Sequence, residues 1–264
     1  MNIDPYVAFF KISLKDFAAY FKDYLLSTVG GLLMFIFMIF IWNVVYLGEH
    51  ATLIDGYSII QINAYFVIGG ALFLLIDSLN DKTVSEDIQS GTIASALIKP
   101  VNYAYMTFIR SFADNVMVLP IVLIAVILAI YYMNIPISIL SVLAVVIILI
   151  IGYITINILQ FMVGLLAVYT TSAFGISMFL MNIINLFGGS VMPLNFLPNY
   201  ISSIAAVLPF QMMMYVPSAI LIGVIPTSMY LHYIIIGGIW LLIIGLLGYF
   251  FWNHIKKRIS SVGG

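Results

Sequence analysis

The chain of 264 residues is 64% hydrophobic and only 7% charged, with a mean hydropathy of +1.20, whereas a soluble domain carries roughly a quarter charged residues. Water cannot be its main solvent. Nine Lys and Arg against ten Asp and Glu leave a net charge of −1, which excludes the basic surface that nucleic-acid binding needs, and the absence of Cys excludes disulfides and thiolate metal sites.

The opening Asn2-Ile3-Asp4-Pro5 lacks the basic start of a cleavable signal peptide, so the first apolar span is expected to be its own insertion signal. Over residues 5–24, Phe10, Leu14, Phe17 and Phe21 recur at i, i+4, i+7 and i+11, with Lys11, Lys15 and Lys22 each one position further on. An aromatic face beside a basic one predicts an amphipathic interface helix within 1–24, lying in the headgroup layer.

A span needs about 20 apolar residues to cross roughly 30 Å of hydrocarbon. Six segments qualify, at 25–47, 58–79, 115–132, 139–169, 173–192 and 231–252. Between the second and third, residues 80–114 form the one sizeable loop on the basic side. There Thr83-Val84-Ser85-Glu86 reads as a capping box, Glu86 and Asp87 suit a helix N-terminus, Gly91 allows another backbone to approach, and Lys99-Pro100 supplies a basic last turn and a stop. One short helix with defined ends is expected. Spans four and five carry paired amides, Asn157 with Gln160 and Asn182 with Asn185, which serve either as contacts between helices or as the lining of a substrate path. At 193–230 an apolar stretch long enough for a seventh span is interrupted by Pro198, Pro209, Pro217 and Pro226, which predicts short broken helices on the extracytoplasmic side and not one straight span.

All nine basic residues fall on one side of a six-span arrangement, and the loops 48–57, 133–136 and 193–230 contain none. The positive-inside rule then places both termini in the cytoplasm of a multi-pass cell-membrane protein. The expected fold is an all-α integral membrane protein with one transmembrane domain over 1–264. No HExxH pair, GxSxG elbow, paired carboxylates or GxxxxGK[ST] loop occurs, and no Glu, Lys or Arg sits at mid-depth. Neither catalysis nor a cofactor or metal of its own is expected, so any uphill transport draws its energy from another polypeptide.

The stretch Glu86-Asp87-Ile88-Gln89-Ser90-Gly91-Thr92-Ile93-Ala94-Ser95-Ala96-Leu97-Ile98-Lys99-Pro100 resembles the cytoplasmic signature of ABC type-2 exporter permeases, whose coupling helix between spans two and three carries an acid, Gly-Thr, an apolar pair and a basic residue with Pro. Gly188-Gly189-Ser190-Val191-Met192-Pro193-Leu194-Asn195-Phe196-Leu197-Pro198, followed by Leu208-Pro209-Phe210, Pro217 and Gly223, looks like that family's span five and the broken helices before span six. With the N-terminal helix, the likeness covers essentially the whole chain. It implies a permease dimer, with a second copy or a related permease, above two cytoplasmic ATP-binding-cassette subunits that bind ATP and magnesium. It also implies that Glu86, Asp87, Gly91, Thr92, Leu97, Lys99 and Pro100 mark the ATPase contact, flanked by the interface helix of Phe10, Lys11, Leu14, Lys15, Phe17 and Phe21. Spans one, two and five would border the path, with 193–223 closing it externally. That external region departs from the pattern in having no charge, and drugs, peptides, lipids and glycolipids all stay open as exported cargo. The residues alone also leave open an ATP-independent carrier or channel, since broken helices often build ion sites, and a membrane scaffold or sensor without cargo.

Overall fold

The computed structural model describes residues 4–50, 52–76, 80–99, 101–170 and 173–262, which form helices and turns and no strand. In chain order the helices are α1 (Asp4–Ala19), α2 (Phe21–Glu49), α3 (Ile59–Phe73), α4 (Asn80–Gln89), α5 (Thr92–Ile98), α6 (Tyr103–Tyr132), α7 (Ile139–Leu165), α8 (Phe174–Gly188), α9 (Asn199–Ala205), α10 (Tyr215–Leu221) and α11 (Tyr230–Val262).

Four of these, α2, α6, α7 with its 3-10 extension and α11, are long and apolar enough to cross a membrane. The apolar helices α3 and α8 have 15 residues each, or about 22 Å. The segments expected to span at 58–79 and 173–192 are thus shorter helices, and their ends have identifiable causes. Past Phe73 the backbone tightens into bonds from Leu75 to Leu72 and from Ile76 to Phe73. Past Gly188 the left-handed Gly189 (φ 88°) closes α8.

Local chemistry sets the other boundaries. Ser58 with Gln61 and Ser138 with Ser141 form capping boxes that start α3 and α7. Asn102 accepts the amide of Ala104, so α6 begins at Tyr103, well before the expected 115. Asp55 (φ 46°) and Gly56 (φ 83°) make the tight turn around which Ile54 and Tyr57 exchange backbone bonds. Tyr20 separates α1 from α2, which divides the expected interface helix: Phe10, Leu14 and Phe17 stay on α1, whereas Phe21 and Lys22 open α2.

α7 runs through the middle of the bundle. α11, α4, α10 and the 3-10 turn Pro209–Met212 pack on it, while α2 lies on α3 and α1 on α6. In the 193–230 stretch, Pro193, Pro198 and Pro226 directly precede short helices and Pro209 opens its turn. The middle of this stretch folds back into the bundle. Every residue of α10 is buried, and a Cβ on Gly152 would fall 3.1 Å from the backbone carbon of Met212. Gly152 lies about 20 Å along α7 from Ile139, so the chain returns as far as the middle of α7. The broken helices expected on the extracytoplasmic side therefore pack partly into the bundle. In lipid such contacts gain from close packing at small residues rather than from expelling water, which is why a glycine faces Met212.

Candidate functional site

The polar insertion between α3 and α6 is built differently from its sequence reading. α4 already includes Asn80, so Thr83 lies inside the helix and the expected capping box at Thr83–Glu86 does not form. A tertiary anchor replaces it: buried Asn80 donates from Nδ2 to the Asn157 carbonyl at 3.4 Å. Two helices then stand where one was expected. Gly91 joins them at φ 78°, a left-handed conformation that a Cβ would strain, and caps the start of α5. Its α-carbon faces open space, so within the chain the glycine serves conformation and not close approach.

Around this joint the hydroxyls close on the backbone. Ser90 Oγ donates to the Glu86 carbonyl at 2.7 Å and also meets the Thr92 hydroxyl, and Ser95 Oγ donates to the Thr92 carbonyl at 2.8 Å. Glu86 is exposed and pairs with Lys82 at 4.0 Å. Leu97 is half-buried against the cluster of Val84, Ile93 and Tyr103, whereas Ile98 is 86% exposed. Lys99 is exposed and extended, just past α5 instead of in its last turn, and Pro100 lies outside the described residues.

Residues that sequence reasoning missed hold this insertion in place. The Tyr103 hydroxyl donates to Asp87 Oδ2 at 2.8 Å while its ring stacks on Trp252, with centroids 5.7 Å apart. Trp252 in turn meets Phe161 edge-on at 5.5 Å, which ties α4, α6, α7 and α11 into one buried cluster with Leu165 and Ile255. At Gly164 a Cβ would fall 2.7 Å from the Asp81 carbonyl oxygen, so α4 rests backbone to backbone on α7. Tyr103 lies before the expected third span and Trp252 at the edge of the sixth. An aromatic beside the capping Asn102 was the one local signal.

The amides divide by position. Asn157 and Gln160 are buried: Asn157 Oδ1 accepts from Ser111 Oγ at 2.6 Å, and Gln160 Nε2 donates to the Ile76 carbonyl at 3.2 Å, gripping the loosened end of α3. Asn185 is half-buried and its carbonyl accepts the amide of Ser190 at the end of α8, while Asn182 is exposed on the same helix. On α1, Phe10 meets Phe112 of α6 at 6.0 Å, Phe17 meets Phe21 at 5.9 Å and Tyr24 at 4.9 Å, and Leu14 is half-buried. Lys11 and Lys15 are exposed. The Tyr6 hydroxyl accepts the Asn102 amide at 3.0 Å, joining α1 to the segment that follows α5. Among the described residues no three His, Asp or Glu side chains are grouped as metal ligands.

The insertion thus offers an exposed polar face seated on three long helices. Comparison with curated proteins found no match. A family model described as ABC-2 family transporter protein matches residues 32–263, taking in the α4 and α5 insertion, its seat on α7 and α11, and the re-entrant stretch, with α1 lying before the match. The chain therefore belongs to the ABC-2 transporter family, as a multi-pass membrane protein.

Proposed function

We propose that the chain is the permease subunit of an ATP-driven ABC exporter in the plasma membrane, with α2, α3, α6, α7, α8 and α11 all spanning and both termini cytoplasmic. Two permeases, identical or related, form the substrate path above two ATPase subunits, which alone hold ATP and magnesium. Family membership over residues 32–263 carries this proposal. It is supported by the seat of α4 and α5: a force on the exposed face, with Glu86, Thr92 and Lys99, passes through the Asp87 to Tyr103 bond and Trp252 into α6 and α11. Exposed Asn182 on α8 is assigned to the path, and buried Asn157 and Gln160 to contacts between helices.

The test is co-purification in mild detergent with a co-expressed candidate ATPase. A stoichiometric complex with ATPase activity is expected, lost in Lys99→Glu and Gly91→Trp. Gly91→Ala carries the same backbone strain at φ 78° without the bulk and is expected to keep the complex. Gradient-driven transport by the chain alone, with no complex formed by any candidate ATPase, would overturn the proposal.

A further inference from the structure

We propose that Lys99 and Arg110 bind the phosphate of an anionic phospholipid headgroup in a cleft closed by α1. A cavity of about 150 Å³ opens between α1, α5 and α6, and Phe9, Asp87, Thr92, Ser95, Lys99 and Arg110 are among its walls. That is well beyond the roughly 10–15 Å³ that one water needs. Among the described residues neither Lys99 nor Arg110 has an ion-pair partner. The walls carry two cations against one carboxylate, Asp87, which already accepts from Tyr103, while Asp114, one turn further along α6 and outside the walls, is the acidic neighbour of Arg110.

A second cavity of about 290 Å³ adjoins the first and shares Phe9, Lys99 and Met106 with it. Its remaining walls include Pro5, Ala8, Ile12 and Val101, an apolar surface. A charged chamber that shares walls with an apolar one matches an amphiphile better than a soluble anion. The lysine suits the junction, because its stem can lie along apolar groups while its ammonium stays polar.

Depth agrees, given that α2 and α6 span as proposed above. At 1.5 Å per residue the 30 residues of α6 measure about 45 Å, some 15 Å more than the hydrocarbon core. The apolar run of α6 begins after Asn115, so Arg110 stands about one turn beyond it, at headgroup level. Only Tyr20 separates α1 from α2, which fixes α1 at the same membrane face. Anionic lipids are concentrated in the cytoplasmic leaflet, where basic residues meet them. A lipid held there joins α1 to α5 and makes the coupling surface sensitive to membrane charge.

Native mass spectrometry of the purified chain, without any ATPase, separates this proposal from the exporter reading. With phosphatidylglycerol and phosphatidylcholine added in equal amounts, one phosphatidylglycerol is expected to be retained selectively. The double variant Lys99→Gln with Arg110→Gln is expected to lower that retention about ten-fold, the loss of one or more charge-assisted bonds. Arg110→Lys keeps the charge and is expected to retain the lipid. Because removing charge from α6 can disturb folding, Ser95→Tyr, which fills the cleft from an exposed position and leaves both cations, is expected to give the same loss. Equal retention of the two lipids, unchanged retention in the double variant, or displacement of the lipid by an equal concentration of soluble glycerol phosphate overturns the assignment.

Discussion

The re-entrant stretch around α10 and the insertion of α4 and α5 are both short helices set between long apolar ones, yet one is sealed into the bundle and the other keeps a face open. Met212, Met213 and Met214 are 1%, 1% and 0% exposed, whereas on α5 only Ile93 is buried. Sealing puts most polar side chains into bonds inside, although the buried Ser218 Oγ of α10 has no hydrogen-bond partner. Gln211 Nε2 donates to the Ala206 and Leu208 carbonyls, Gln61 Nε2 to the Ile222 carbonyl at 3.2 Å, and the Tyr215 hydroxyl to Asn195 Oδ1 at 2.6 Å. The open insertion needs fewer internal bonds because water or a partner satisfies its outer face.

The largest effect expected from breaking this difference is at Gly152. Gly152→Leu forces a side chain onto the Met212 backbone, which has no free path of retreat, and overpacking of this kind costs about 1–3 kcal/mol or more. Thermal unfolding in detergent, followed by size-exclusion chromatography, is expected to show a fall in Tm of several degrees or loss of the monodisperse peak. A Tm equal to the wild type would mean that the re-entrant stretch is not packed on α7.

Gly164→Val applies the same test to the open region. Its Cβ meets the Asp81 carbonyl oxygen and Val84, but α4 has solvent behind it and can lift away. The expected result is a smaller fall in Tm than for Gly152→Leu, with faster proteolysis within 80–99 and loss of ATPase coupling. Equal destabilisation by the two variants would erase the distinction between sealed and seated insertions.

Tyr103→Phe sharpens the comparison further by keeping the ring on Trp252 and deleting only the bond to Asp87. Hydrogen bonds to charged groups contribute about 1.5–3 kcal/mol, and with Asp87 half-exposed the expected loss is about 1 kcal/mol. Coupled ATPase activity is expected to fall while complex formation with the ATPase is kept. Tyr103→Ala, which also removes the stacking, is expected to release α4 as Gly164→Val does.

The long helices were legible because apolar composition and length are properties of a single segment, as for α2, α6, α7 and α11. Proline punctuation made the short helices at 193–230 readable for the same reason. Their burial was not, because it depends on room left at Gly152 by a different helix. Thr83 misled as a cap since it lies inside α4, which Asn80 fastens to Asn157, far away in sequence. Tyr103 and Trp252 went unnoticed on the same grounds: each is an ordinary aromatic until the fold stacks one upon the other. In the candidate site, the sequence motif marked the exposed face, but the side chains that seat it are tertiary choices.

The smallest effect belongs to Lys82, which lies on the open face of α4 and approaches Glu86 at 4.0 Å with both side chains about two-thirds exposed. An i,i+4 pair in water contributes only about 0.3–0.5 kcal/mol, and salt screens it. Lys82→Gln is therefore expected to leave Tm unchanged within error. Any effect of the substitution on the ATPase complex then reports contact at this face and not folding, because nothing behind Lys82 depends on it for packing. The same substitution on the sealed stretch has no counterpart, since 193–230 contains no charged residue to remove. Of the two regions only the insertion carries charge, and a Lys82 variant that lowered stability as much as Tyr103→Phe would show its outer face to be structural after all.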